Sequence, residues 1–174
     1  MQQPASSSVS VVLASDVGPR AVSDSLTRQN NATPYIAGDV LCAMAGDPLA
    51  AVPLEFEVAR SNGGSGTIIR VIATSPTVDA GLDTLLLYLF SDEPTVADDN
   101  APFATELTDL VGLVPLALQP AIAGGTIWMS TVGLQWVYTT GAATTKLWGV
   151  PVVGDGWTPT AQQIFKFVLH TDRQ

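Results

Sequence analysis

Apolar and polar residues alternate with a period of two through much of the chain. In "LEFEV" (residues 54–58), Leu54, Phe56 and Val58 fall on one side of an extended backbone and Glu55 and Glu57 on the other. "LQWVYTT" groups Leu134, Trp136 and Tyr138, and "FKFVLHT" groups Phe165, Phe167 and Leu169 against Lys166 and His170. "SVSV" at residues 8–11 alternates as well. Two runs, "TIIRVIA" and "DTLLLYLF", are almost continuously apolar, the pattern of strands covered on both faces. Turn signals such as "DVGP", "AGDP", "NGGSG", "SDEP" and "VGDG" separate these runs at intervals of roughly ten residues, as in a sandwich or barrel. No long segment has the roughly 3.6-residue period of a helix. Only "NAPFATEL" after Asn100 and "TPTAQQ" after Thr158 carry the cap and early Pro of a single helical turn. The pattern predicts an all-β fold: an antiparallel two-sheet sandwich with at most one or two short helical turns.

The 174 residues suit one domain. The opening "MQQPASSS" is polar and apolar-poor, so residues 1–8 are read as an N-terminal arm and residues 9–174 as a single β-sandwich domain. Hydrophobic residues make up 47% and charged ones 13%, which excludes a disordered chain and leaves the surface largely to Ser, Thr, Asn and Gln. That balance fits faces that meet other proteins. The formal net charge of −9 and the scattered basic residues give no footprint for nucleic acid, and an anionic membrane would repel the chain. Charge alone therefore points to a neutral or basic partner. The longest apolar runs are too short, or too broken by Pro and Gly, to span a bilayer, and "MQQPASSSVSVVLAS" lacks the basic start of a secretion signal.

Candidates for chemistry are few. "SNGGSG" (residues 61–66) has the look of a phosphate-binding loop, but that motif needs a helix after the glycines and a Lys to reach the phosphate. Here strand-like "LEFEVAR" precedes it and β-branched "TIIRVIA" follows, so a hairpin connection is expected, with Asn62 and the glycines at positive φ. The single His170 falls on the polar side of its strand, and Cys42 sits alone in apolar "VLCAM", the setting of an inert buried thiol. One His and one Cys cannot furnish a zinc set. Oxygen ligands for calcium could come from Asp92, Asp98 and Asp99 in "SDEPTVADDN", although the spacing is not that of an EF-hand. The plainer reading is a solvated acidic loop with Asp99 or Asn100 capping a helical turn. Glu55 and Glu57 project from the core without a sugar platform beside them, so no catalytic residue and no cofactor is assigned.

Four blocks in order resemble the bacteriophage virion decoration, or cement, proteins: "NNATPYIAGDVL", "EFEVARSNGGSGTI", "LLLYLFSDEPTVADDNAPF" and "LTDLVGLVPL". The matching positions are Thr33, Tyr35, Gly38, Asp39 and Val40; Gly63, Gly64, Ser65 and Gly66; and Leu89, Phe90, Asp99, Asn100 and Phe103. The resemblance covers residues 9–116 and leaves the Trp-bearing last third unplaced. It implies a jelly roll that sits on the outer surface of an icosahedral head, made in the host cytoplasm. It also implies the major capsid protein as partner, and a homodimer rather than a trimer. An arm beginning Met1, Gln2, Gln3 and Pro4, with exposed aromatics such as Trp136 and Trp157, is expected to reach the capsid or the dimer mate. Two other readings stand beside it: another virion β-module from tail, baseplate or head fibre, and a carbohydrate-binding jelly roll.

Overall fold

The computed structural model describes residues 19–30, 32–45, 50–78, 81–120, 124–130 and 133–173. The arm expected at residues 1–8 and the "SVSV" strand lie outside them. The described residues contain eleven strands and no helix: β1 (Arg20–Thr27), β2 (Ala43–Ala45), β3 (Ala50–Val52), β4 (Leu54–Glu57), β5 (Ser65–Ser75), β6 (Thr84–Phe90), β7 (Leu110–Leu118), β8 (Thr126–Ser130), β9 (Trp136–Thr139), β10 (Lys146–Val153) and β11 (Ile164–Arg173).

All strand pairing among the described residues is antiparallel. The main sheet runs β1-β11-β5-β8-β7-β6-β10-β4, β9 adds to the start of β5, and β2 and β3 form a separate ribbon. With that ribbon and β9 set aside, eight strands remain. The first pairs the eighth, the eighth the third and the third the sixth; the second pairs the seventh, the seventh the fourth and the fourth the fifth. This is jelly-roll connectivity. The two four-stranded faces, β1-β11-β5-β8 and β4-β10-β6-β7, are joined where β7 pairs β8. At the opposite seam β1 and β4 share no ladder, and the Asp24 carboxylate bridges them by accepting the Glu55 N–H at 2.8 Å. The sheet is thus nearly closed into a barrel-like sandwich.

Alternation dictates the core. Phe165, Phe167 and Leu169 of β11, Leu54 and Phe56 of β4, and Leu85, Leu87 and Leu89 of β6 all point between the faces. A one-residue slip would turn each set outward, and full burial of such a side chain contributes about 1.5–3 kcal/mol. Two polar-tipped rings in this core have partners across it: Trp128 Nε1 donates to the Leu82 carbonyl, and the Tyr138 hydroxyl to that of Val58, each at 2.8 Å.

A second apolar cluster lies on the outer side of the β4-β10-β6-β7 face. Phe90, Trp148, Val150 and Val152 are buried there with Val40 and Cys42, flanked by Val96, Ala97 and Phe103. β10 is consequently covered on both sides, and β6 is as the sequence predicted. β5 differs: Ile69 and Ile72 are only half-buried, because no described element lies over the outer side of its sheet.

Two local expectations are corrected. Residues 61–64 do form a turn, with Gly64 N–H to the Ser61 carbonyl at 3.0 Å and Gly63 at φ 69°. The flanking strands do not pair with each other, however, so the turn carries the chain from one face to the other and is no hairpin. The helical turns after Asn100 and Thr158 are also absent. Asn100 adopts φ 64° and Gln162 φ 55°, and their N–H groups go sideways to the carbonyls of Val40 and Gln29.

Candidate functional site

After β1, the alternation that buries Val22 and Leu26 carries Arg28 inward too. Its Nε donates to the Tyr35 hydroxyl at 2.5 Å, and one terminal nitrogen lies 3.4 Å from Asp99 Oδ2. The Tyr35 hydroxyl in turn donates to Asp99 Oδ1 at 2.6 Å, an oxygen that also accepts the Cys42 N–H at 3.1 Å. The side chains of Arg28 and Asp99 are 0% and 1% exposed, so both charges are removed from water and compensate each other. Tyr35 stacks on Trp157 with centroids 5.5 Å apart, and Trp157 meets Phe165 edge-on at 5.8 Å. The guanidinium carbon stands 4.7 Å from the centre of the Tyr35 ring.

The backbone of residues 35–41 is fixed on both sides. Tyr35 and Trp157 exchange backbone hydrogen bonds at 2.8 and 3.2 Å. Val40 N–H reaches the Ala101 carbonyl at 2.8 Å, and Phe103 N–H reaches that of Gly38 at 2.9 Å. Leu41 N–H meets the Pro151 carbonyl on β10 at 2.9 Å. Gly38, at φ 97°, makes the tight turn in which the Asp39 carboxylate accepts the Ile36 N–H at 2.8 Å. This clasp holds the long segment between β6 and β7 against the barrel.

Its chemistry is that of a closed polar core. Burial, then the hydrogen bond to Asp99, raises the Tyr35 hydroxyl well above its ordinary range, so it stays protonated. Burial, then the charges of Asp99 and Asp98, pushes the Cys42 thiol up to about 12, the opposite of an activated nucleophile.

The other candidates lie apart. Asp99 is engaged in the clasp, Asp98 is exposed, and Asp92 abuts Gly141; among the described residues no group of three His, Cys, Asp or Glu side chains is placed to hold a metal ion. Asp92 instead lines an open groove of about 570 Å³ with Glu93, Glu106 and Asp109. Glu55 and Glu57 are exposed, as the alternation predicted, and are engaged by Lys146 and by the Thr145 hydroxyl. His170 is half-buried on the side of β11 that carries Lys166.

Of the expected contact residues, Met1, Gln2, Gln3 and Pro4 lie outside the described residues. Trp157 is only 5% exposed and belongs to the core, so the expectation of an exposed aromatic there is overturned by its packing on Tyr35 and Phe165. Trp136 is half-buried, its ring so close to Gly112 that a Cβ there would sit 2.5 Å from it. Sequence reasoning missed Arg28. The signal was present, since Val22, Leu26 and Arg28 share one parity along an alternating run. Comparison with protein-family models gives no match, and no curated protein matches the chain.

Proposed function

We propose that the protein is a structural component of a virion: a decoration protein that binds the outer surface of an icosahedral phage head and stabilises contacts between capsomers of the major capsid protein. The observation that carries this reading is the clasp. Tyr35, Gly38 and Val40 from the first block of the resemblance contact Asp99, Asn100 and Phe103 from the third, through the Tyr35–Asp99 hydrogen bond of 2.6 Å and the backbone bonds beside it. Residues that match a pattern at separated positions thus have a common physical task. The jelly-roll connectivity is also the one the resemblance implies.

A cement protein acts by linkage: binding the assembled shell and not its loosened form raises the shell's stability. Many copies, each acting as a homodimer with two contacts, gain by avidity. The test is co-sedimentation of the purified protein with mature, undecorated heads of the parent phage. Saturation at a fixed copy number, with a higher shell melting temperature, is the expected result. Absence of binding to intact heads would overturn the reading.

A further inference from the structure

The two outer faces of the sandwich differ. That of β4-β10-β6-β7 is covered by the chain itself and edged by Asp92, Glu93, Glu106 and Asp109. That of β1-β11-β5-β8 is left open by every described element. Across the open face runs an apolar row in register, Val168 of β11 beside Ile72 of β5 beside Met129 of β8, each half-buried, with Ser23 of β1 at its end. On one side of it lies the row holding Lys166, Thr74 and Ile127. On the other side His170 pairs Arg70. None of these three rows contains a carboxylate; the next carboxylate along β11 is Asp172, exposed one row beyond His170 and opposite Thr67.

In a chain of net charge −9 this is a marked segregation. Arg28 and Lys146 are matched by Asp99 and Glu55, whereas Arg70 and Lys166 have no carboxylate partner among the described residues, and the Arg70 guanidinium donates to Met129 Sδ at 3.1 Å. We infer that this face is the docking surface of the protein, and that it fits a partner protein surface bearing an apolar strip flanked by carboxylates. The inference rests on the decoration reading, under which that partner surface is the exterior of the head shell. It also refines the expectation from net charge: the partner need be neutral or basic only where the acidic side faces it.

A second copy of the chain is a poor occupant. Two identical open faces packed about a two-fold axis that runs along or across the rows through the apolar one lay a cationic row over a cationic row, because such rows lie on both sides of it. Packing this face on the acidic side of another copy would be head-to-tail and would give a ring or an open filament, neither of them the homodimer of the decoration reading. A different protein with complementary charge satisfies both constraints, with the apolar row desolvated at the centre and the cations at the rim.

The experiment compares wild-type protein, the double variant Arg70→Glu/Lys166→Glu and the control Glu106→Lys for binding to undecorated heads over a series of salt concentrations. All three side chains project from the core, and unchanged melting temperature and tryptophan fluorescence certify the folds. The expected result is a loss of affinity of about tenfold or more for the double variant, with a flatter salt dependence, and wild-type behaviour for the control. Equal binding by the double variant and the wild type would overturn the docking face and leave the decoration reading intact. Failure of the wild type itself to bind would overturn both.

Discussion

The carboxylate of Asp24 on β1 accepts the backbone N–H of Glu55 on β4 at 2.8 Å, across the seam of the barrel where these two strands share no ladder. Its other oxygen takes the Ser25 N–H at 2.7 Å. A single side chain therefore satisfies an amide on each of two strand edges. Asp24→Ala is expected to cost about 1–2 kcal/mol in urea unfolding, and Asp24→Asn, which keeps one acceptor, less. Amide exchange at Glu55 should accelerate in the alanine variant. An unchanged exchange rate would show that the seam is held by other contacts.

The clasp makes a larger prediction. Asp99→Ala removes a buried carboxylate 3.4 Å from the Arg28 guanidinium and is expected to cost roughly 3–5 kcal/mol. Tyr35→Phe removes one hydrogen-bonded hydroxyl and keeps the stacking on Trp157, so about 1–3 kcal/mol is expected. Denaturant unfolding of the two single variants and the double variant should give strongly non-additive losses. Simple additivity would mean that the side chains do not act as one unit.

Stability should fall on the alkaline side. Burial raises Cys42 from its ordinary 9.0 to about 12, and Tyr35 is raised from 10.0. In this range the folded chain retains protons that the unfolded chain releases, so the stabilisation is complete below pH 9.0 and is lost as pH rises beyond it. Melting temperature measured against pH should decline from there, and Tyr35→Phe should flatten the decline above 10.0. Cys42 should also resist a thiol reagent at neutral pH until denaturant is added.

The glycines after the 61–64 turn provide a fourth test. A Cβ on Gly66 would run into the carbonyl oxygen of Asp172 and come within 2.6 Å of the Tyr138 hydroxyl. Gly66→Ala should destabilise by about 2 kcal/mol or more, since the obstacle includes backbone. Gly124 has open space around it but φ +99°, so Gly124→Ala should cost only about 1 kcal/mol. Equal losses in thermal melts would indicate that the close approach at Gly66 relaxes freely.

What the sequence made legible, and what it hid, follows from the range of each signal. Alternation told which side chains of β4, β9 and β11 face inward, because the period of two is a local property of the extended chain. It could not tell which strands pair. A turn between two strands reads the same whether they join as a hairpin or, as at residues 61–64, part to opposite faces. The cap-and-Pro signals after Asn100 were overridden because the Asn100 N–H found the Val40 carbonyl at 2.9 Å. Asp99 was hidden among the neighbouring acids of "SDEPTVADDN"; its counter-ion is 71 positions away. Trp157 was misplaced because tryptophan is common both in cores and at interfaces.

One consequence of the β1–β11 ladder concerns the order in which the chain is made. Among the described residues the first strand has its only ladder partner in the last, so β1 leaves the ribosome long before that partner is made. β5 waits in the same way for one of its two flanks. The barrel must assemble after synthesis has passed Phe165 and Phe167, in a slow step dominated by contacts distant in sequence. Until then the inward faces of the nascent strands are exposed, and crowding on a polysome would favour their association. The outward residues of β1, the small Ala21 and the polar Ser23, Ser25 and Thr27, keep its other side from adding to that hazard.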